Sequence, residues 1–286
     1  MPINLTSPSE VRRLLREHGL RPKKRLGQSF LVDANILRKI IAGAEIGPGD
    51  CVLEIGAGLG TLTQAAADVG ARVVCVESDA ALIPILRETI GDFTNVEIVH
   101  ADFLALDLAR FLGERFGERR CVVLANLPYY ITSPIITALV EYRRNIARAV
   151  LMVQREVADR LTASPGDEDY SSFGIFVNYH CELEILAKVP RTVFHPTPEV
   201  DSAIIRLIPR ESPPVQPKDE ATFFLVVRAA FQQRRKTLLN ALTKIASDKE
   251  TAADILRLAG IEPSRRGETL TMEEFACVSD VFSTLI

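Results

Sequence analysis

Between residues 51 and 154, short runs of apolar, β-favouring residues alternate with longer stretches of helical period. Residues 51–55, 72–77, 96–100, 121–125 and 147–154 read as strands. Several are apolar throughout, which suits strands covered on both faces rather than half-exposed ones. Residues 64–69, 80–90, 107–116 and 134–142 read as the helices between them, the last opened by Ser133 as a hydroxyl cap and Pro134 at the first helical position. This order of elements predicts an α/β, doubly wound, Rossmann-like sheet.

The pattern then changes. Residues 209–220 (PRESPPVQPKDE) hold four prolines in twelve residues and are densely charged, so they read as a linker. Beyond them, residues 221–286 keep a helical period, with turns near Gly260, Pro263 and Gly267. The expected organisation is a domain over 1–208 with a basic N-terminal arm, a linker over 209–220, and a small all-helical domain over 221–286. Residues 165–169 read as a polar surface loop.

Composition narrows the class. The chain has 286 residues, 47% hydrophobic and 25% charged, which excludes general disorder. No apolar run approaches a membrane span, and residues 1–10 lack the apolar core of a secretory leader. Five cysteines form no CxxC pair, and the four histidines are scattered, so a reducing, cytoplasmic setting without a metal site is expected.

Net charge is −3, which taken alone argues against a nucleic-acid partner. The distribution argues for one. Residues 1–39 carry nine Lys or Arg against Glu10, Glu17 and Asp33, with a cluster over 21–25. Residues 226–245 carry Arg228, Arg234, Arg235, Lys236 and Lys244 with no acid, and residues 231–242 read as one basic helix. Basic clusters on a mildly acidic chain are the footprint of phosphate binding.

Three strand ends carry candidate chemistry. The first is followed by Gly56-Ala57-Gly58-Leu59-Gly60, where glycines let the backbone approach a ligand closely. The spacing is GxGxG, whereas a dinucleotide site uses GxGxxG. Glu77 ends the second strand, placed to accept hydrogen bonds from ribose hydroxyls. Asp102 and Phe103 follow the third strand; Asp102 reads equally as a helix cap or as an acceptor for an adenine amino group.

The fourth strand is followed by Asn126-Leu127-Pro128-Tyr129. An adenine N6 is a poor nucleophile because its lone pair is delocalised into the ring. Alkylating it requires acceptors for both amino hydrogens, and the Asn126 side-chain oxygen and the Leu127 carbonyl are candidates. Pro128 restricts Leu127 to an extended conformation, which fixes the aim of that carbonyl. Tyr129 offers a face for a flipped-out base.

Together these residues resemble the ribosomal RNA adenine N6,N6-dimethyltransferases, in particular the bacterial small-subunit type. The resemblance also includes Leu26-Gly27-Gln28-Ser29-Phe30-Leu31-Val32-Asp33, Phe194-His195-Pro196-Thr197-Pro198-Glu199-Val200-Asp201-Ser202-Ala203 and residues 231–242. It implies S-adenosylmethionine as cofactor, held by Gln28, Ser29, Leu31, Gly56, Gly58, Glu77, Asp102 and Asn126. Asn126, Leu127, Pro128, Tyr129 and Phe194 are the implied catalytic set, with Tyr129 and Phe194 sandwiching the target base. Where the family often has Asn or His this chain has Ser29, and Tyr130 replaces a frequent Asn and receives no role.

The implied activity is dimethylation of two adjacent adenosines in a hairpin loop of 16S rRNA during small-subunit biogenesis, by a monomer with no membrane partner. Competing readings are a large-subunit rRNA dimethyltransferase conferring antibiotic resistance and a non-catalytic nucleic-acid-binding assembly factor. A nicotinamide oxidoreductase is disfavoured by the GxGxG spacing.

Overall fold

The computed structural model describes residues 3–23, 27–91, 93–232 and 236–286. Its strands are β1 Phe30–Leu31, β2 Cys51–Ile55, β3 Arg72–Glu77, β4 Val96–His100, β5 Cys121–Asn126, β6 Ile146–Gln154, β7 Cys181–Val189, β8 Phe194–His195 and β9 Ser202–Pro209. Seven of them form one sheet in the order β4-β3-β2-β5-β6-β9-β7, while β1 and β8 pair as a separate two-stranded ribbon. β2 runs parallel to β3 and β5, β3 to β4, and β5 to β6; β9 is antiparallel to β6.

The chain winds outward from β2 to β4, then returns to the other side of β2 with β5. The topological switch point therefore lies between β2 and β5, and a crevice opens beyond their carboxyl ends. Burial follows position in the sheet. Every residue of β2 is buried, whereas β4 at the edge has none buried. Val52, Val73, Val122, Leu124 and Val150 belong to one apolar cluster with Ile36, Ile40 and Ala66, all 6% exposed or less.

The chain separates into two compact units. One comprises residues 1–158 and 182–209; the other comprises 159–181 and 210–286. This differs from the expected division in two ways. Residues 159–181 belong with the helical unit, because Tyr170, Ile175 and Tyr179 share its core with Phe223, Val227, Phe275 and Phe282. The proline-rich stretch is also part of that unit: Val215 is 8% exposed and the Lys218 N–H donates to Asp280 at 2.7 Å.

Two helix expectations need correction. The helix expected from Pro134 begins at Thr132, with Ile131 at its cap and no capping side chain. Pro134 then sits within the first turn, where backbone N–H groups have no intrahelical partner in any case. The basic segment 231–242 is not one helix. Helix Glu220–Gln232 takes in only its first two residues, and Thr237 caps a new helix, Leu238–Leu242, by accepting from the Asn240 N–H at 3.5 Å. Arg234 and Arg235 lie outside the described residues, as do Lys24, Arg25 and Leu26. Among the described residues, no helix is long and apolar enough to cross a membrane.

Candidate active site

A cleft opens at the switch point, within the sheet unit. Its walls include Gln28, Ser29, Leu31, Gly56, Gly58, Glu77, Asp102 and the whole run Asn126–Tyr129. All but one of the expected site residues are therefore brought together. Phe194 is the one that is not. It is 4% exposed, pairs with Leu31 across the β1–β8 ribbon, and joins the sheet core with Ile36 and Ile40. Directly opposed residues in a ribbon face the same side, so the pairing that seats Leu31 inward carries Phe194 with it.

The glycine loop is folded onto β3. The Gly56 and Ala57 N–H groups both donate to the Val76 carbonyl, at 2.8 and 3.2 Å, and the Gly60 N–H donates to Ala57. Gly60 has φ +92, and a Cβ there would meet Leu86 and Thr89 at 3.0 Å, so helix Thr61–Asp68 can start only from glycine at this point. The Gly58 N–H donates at 2.8 Å to Glu77 Oε2. Glu77 Oε1 accepts from the Asp79 N–H at 2.7 Å. With both oxygens accepting, the geometry suits an ionised carboxylate, although Glu77 is 6% exposed.

This arrangement decides what kind of ligand fits. A pyrophosphate needs free N–H groups, and here those of Gly56, Ala57, Gly58 and Gly60 are already engaged, one of them by a carboxylate. A second acid, Glu54, lines the same cleft at 1% exposure and accepts a hydrogen bond from the Thr63 hydroxyl. Burial pushes the Glu54 carboxyl up to about 8, opposed by the Thr63 bond and reinforced by the Glu77 charge. Burial likewise raises Glu77, while the N–H bonds from Asp79 and Gly58 pull it back. With Glu77 accepting on both oxygens and Glu54 held protonated near neutral pH, the wall is suited to hydroxyl groups.

The opposite wall is different. Asn126 ends β5, and its amide nitrogen donates to the Ser29 carbonyl at 3.0 Å. That bond fixes the amide orientation, because the side-chain oxygen would be repelled by the same carbonyl. Among the described residues Asn126 Oδ1 has no partner. The Leu127 N–H donates to Met152 at 3.1 Å, and no described group donates to its carbonyl. Pro128, by contrast, accepts from the Ile131 N–H and the Thr132 hydroxyl, both at 3.2 Å. The Tyr129 hydroxyl lies 3.4 Å from Ser202 Oγ, which steadies the ring. Two acceptors are left open beside one aromatic face.

Asp102 takes the cap role that its position allowed and also borders the cleft. Its Oδ1 accepts the Leu104 N–H at 3.0 Å, capping the turn Phe103–Ala105, while the residue still lines the cleft. Tyr130 is 60% exposed at the rim. Sequence reasoning passed over Glu54, Asp79 and Ser202. Glu54 carried a signal, being an acid inside an otherwise apolar strand; Asp79 and Ser202 carried none without their partners.

The family model for ribosomal RNA adenine dimethylase matches residues 19–282. A ribosomal RNA small subunit methyltransferase A from Pelotomaculum thermopropionicum is 48% identical over 288 residues, covering 98% of each chain. Among solved structures, a dimethyladenosine transferase from Plasmodium falciparum superposes with a TM-score of 0.75 at 28% identity, over 89% of this chain and 98% of its own. The 23S rRNA methyltransferase ErmE does so with a TM-score of 0.67, also at 28% identity, over 89% and 99%. With a matching model over nearly the whole chain and close to half of its residues shared with a full-length relative, the chain belongs to the ribosomal RNA adenine dimethylase family.

Proposed function

We propose that this protein transfers methyl groups from S-adenosylmethionine to N6 of two adjacent adenosines in a hairpin loop of 16S rRNA, giving N6,N6-dimethyladenosine during small-subunit biogenesis. The observation that carries the reading is the Asn126 amide. Its nitrogen is held by Ser29, which leaves Oδ1, on a residue that lines the cleft, as an acceptor without a partner among the described residues. Asn126 Oδ1 and the Leu127 carbonyl each accept one N6 hydrogen. Drawing both hydrogens toward fixed acceptors favours pyramidal nitrogen and frees its lone pair for attack. Positioning and desolvation supply most of the rate. The proton leaves to water after transfer, and no general base is required.

S-adenosylmethionine, when bound, supplies an electrophilic methyl on a sulfonium sulfur. The residues present fit it: Glu77 for ribose hydroxyls, and Asp102 and Phe103 for the adenine. Gln28, Ser29, Leu31, Gly56, Gly58 and Asn126 complete the enclosure. Tyr129 provides the stacking face for the target base. The buried Phe194 would have to leave the core to provide a second, so we assign stacking to Tyr129 alone.

We further infer that the helical unit selects the particle. Arg228, Lys236 and Lys244 are exposed on it, while Arg12, Arg16, Arg21 and Lys23 are exposed on the sheet unit. Each contact to phosphate should contribute about 0.7–0.9 to the salt slope of log affinity. The protein is taken to act as a cytoplasmic monomer. Primer extension across small-subunit rRNA from cells with and without the gene tests the activity. Loss of the paired stops in the deletion strain is expected. Unchanged stops, or efficient methylation of naked 23S rRNA by the purified protein, would move the reading to the large-subunit alternative.

A further inference from the structure

The cleft carries a fourth acidic side chain, to which the chemistry above gives no role. Asp79 lies two residues beyond Glu77, its side chain only 9% exposed. Lys23 Nζ donates to both of its oxygens at 2.9 Å, and Gln28 Nε2 donates to Oδ2 at 2.7 Å. Gln28 Oε1 in turn accepts the Lys23 N–H at 2.8 Å. Residues 23 and 28 are thereby closed on each other and fastened to the end of β3. The next residue, Ser29, is fastened to the end of β5 by Asn126 at 3.0 Å. The segment through Gln28 and Ser29 bridges the two strand ends that define the cleft.

The same carboxylate group reaches inward through its own backbone. The Asp79 N–H donates to Glu77 Oε1, and Glu77 Oε2 takes the Gly58 N–H. Three links therefore run from Lys23 through Asp79 and Glu77 to the glycine loop. Among the described residues, Lys23 is the one cation paired with a cleft carboxylate. Removing its ammonium would leave the Asp79 charge unbalanced beside Glu77 and held on this side by Gln28 alone. A purely local role for Asp79 also exists, since Oδ1 accepts the Ala81 N–H at 3.1 Å and shapes the turn. That role needs neither Lys23 nor Gln28.

We propose that Asp79 is a positioning residue for cofactor affinity, acting with Lys23 and Gln28 as a latch that holds the Gln28–Ser29 bridge and the Glu77 carboxylate in register. The inference rests on the S-adenosylmethionine reading of the cleft. Burial would push the Asp79 carboxyl up, but the bonds from Lys23 and Gln28 outweigh it and hold the group below its ordinary range.

Calorimetry of S-adenosylmethionine binding to the full-length protein, Asp79→Asn, Lys23→Met and the double variant tests this. Asp79→Asn should weaken binding about tenfold and Lys23→Met about threefold, as expected for losing charge-assisted bonds. The double variant should match Asp79→Asn alone, because both changes break one latch. Steady-state methylation should show the loss in KM for the cofactor, with kcat at saturation within about twofold. Lys23 is 45% exposed, so Lys23→Met keeps the test alive should Asp79→Asn fail to fold. Wild-type binding with both variants within about twofold of it, or losses that multiply in the double variant, would overturn the latch. A wild-type protein that binds no S-adenosylmethionine would overturn the cofactor reading and the latch with it.

Discussion

The two walls of the cleft are built on opposite plans. At the end of β3 the groups are bonded to one another: Gly58 to Glu77, Glu77 to Asp79, Asp79 to Lys23 and Gln28. At the end of β5 the strongest acceptors, Asn126 Oδ1 and the Leu127 carbonyl, are left open while their neighbours are held fast. A saturated wall holds a ligand in one pose. A wall with aimed but unsatisfied acceptors stabilises what changes during the reaction. On the proposed function, the same strand-end position in the sheet would serve binding on one side and chemistry on the other.

If this contrast is right, damage to the β5 side should be the most severe for turnover. Asn126→Ala is expected to lower single-turnover methyl transfer by at least ~10²-fold, in line with losing one preorganised group. Rapid-quench measurement at saturating cofactor and RNA checks it, and a rate within a few-fold of wild type would reduce Asn126–Tyr129 to a turn. Glu77→Ala should act on the other axis. Calorimetry should show S-adenosylmethionine affinity falling about ten- to a hundredfold, the range for a charge-assisted bond, with RNA affinity nearly unchanged.

Glu54 sharpens the comparison through pH. Its folded carboxyl stands near 8 against an ordinary 4.5, so the folded state holds a proton that the unfolded state has released. Stability from this group is fully present below about 4.5 and is lost as pH rises toward about 8, at ~1.4 kcal/mol per unit across that window. Thermal melts should therefore show a midpoint that falls over this range in the wild type and a flatter profile in Glu54→Gln. Equal slopes would mean that the carboxyl is not held neutral. The smallest effect should come from Tyr129→Phe, which removes only the 3.4 Å contact to Ser202; methylation should fall less than about threefold. A loss as large as that of Asn126→Ala would give the hydroxyl a role of its own.

The sheet's centre was legible because β2, β3 and β5 are buried on both faces and so are predominantly apolar. Their ends could be read for the same reason: Glu77 and Asn126 stand out against such runs. The strands beyond β6 were not legible. β7 alternates irregularly between exposed and half-buried positions, and β8 is only two residues long. Phe194 shows the limit of motif reading, since its inward turn is set by pairing with Leu31 and not by its neighbours in the chain. The latch was invisible for a related reason. Lys23 and Asp79 lie 56 residues apart, and nothing local marks them as partners.

The helical unit is assembled from two stretches that the last part of the sheet unit interrupts. As the chain emerges during synthesis, the sheet unit has all of its strands once residue 209 is out, whereas Tyr170, Ile175 and Tyr179 must wait for Phe223, Phe275 and Phe282. Three core side chains are thereby left without their partners for the time needed to make some seventy further residues, about 4–14 s at typical elongation rates. Nascent-chain aggregation and chaperone capture should concentrate in that interval, and swapping of residues 159–181 between two copies is the misassembly this topology invites.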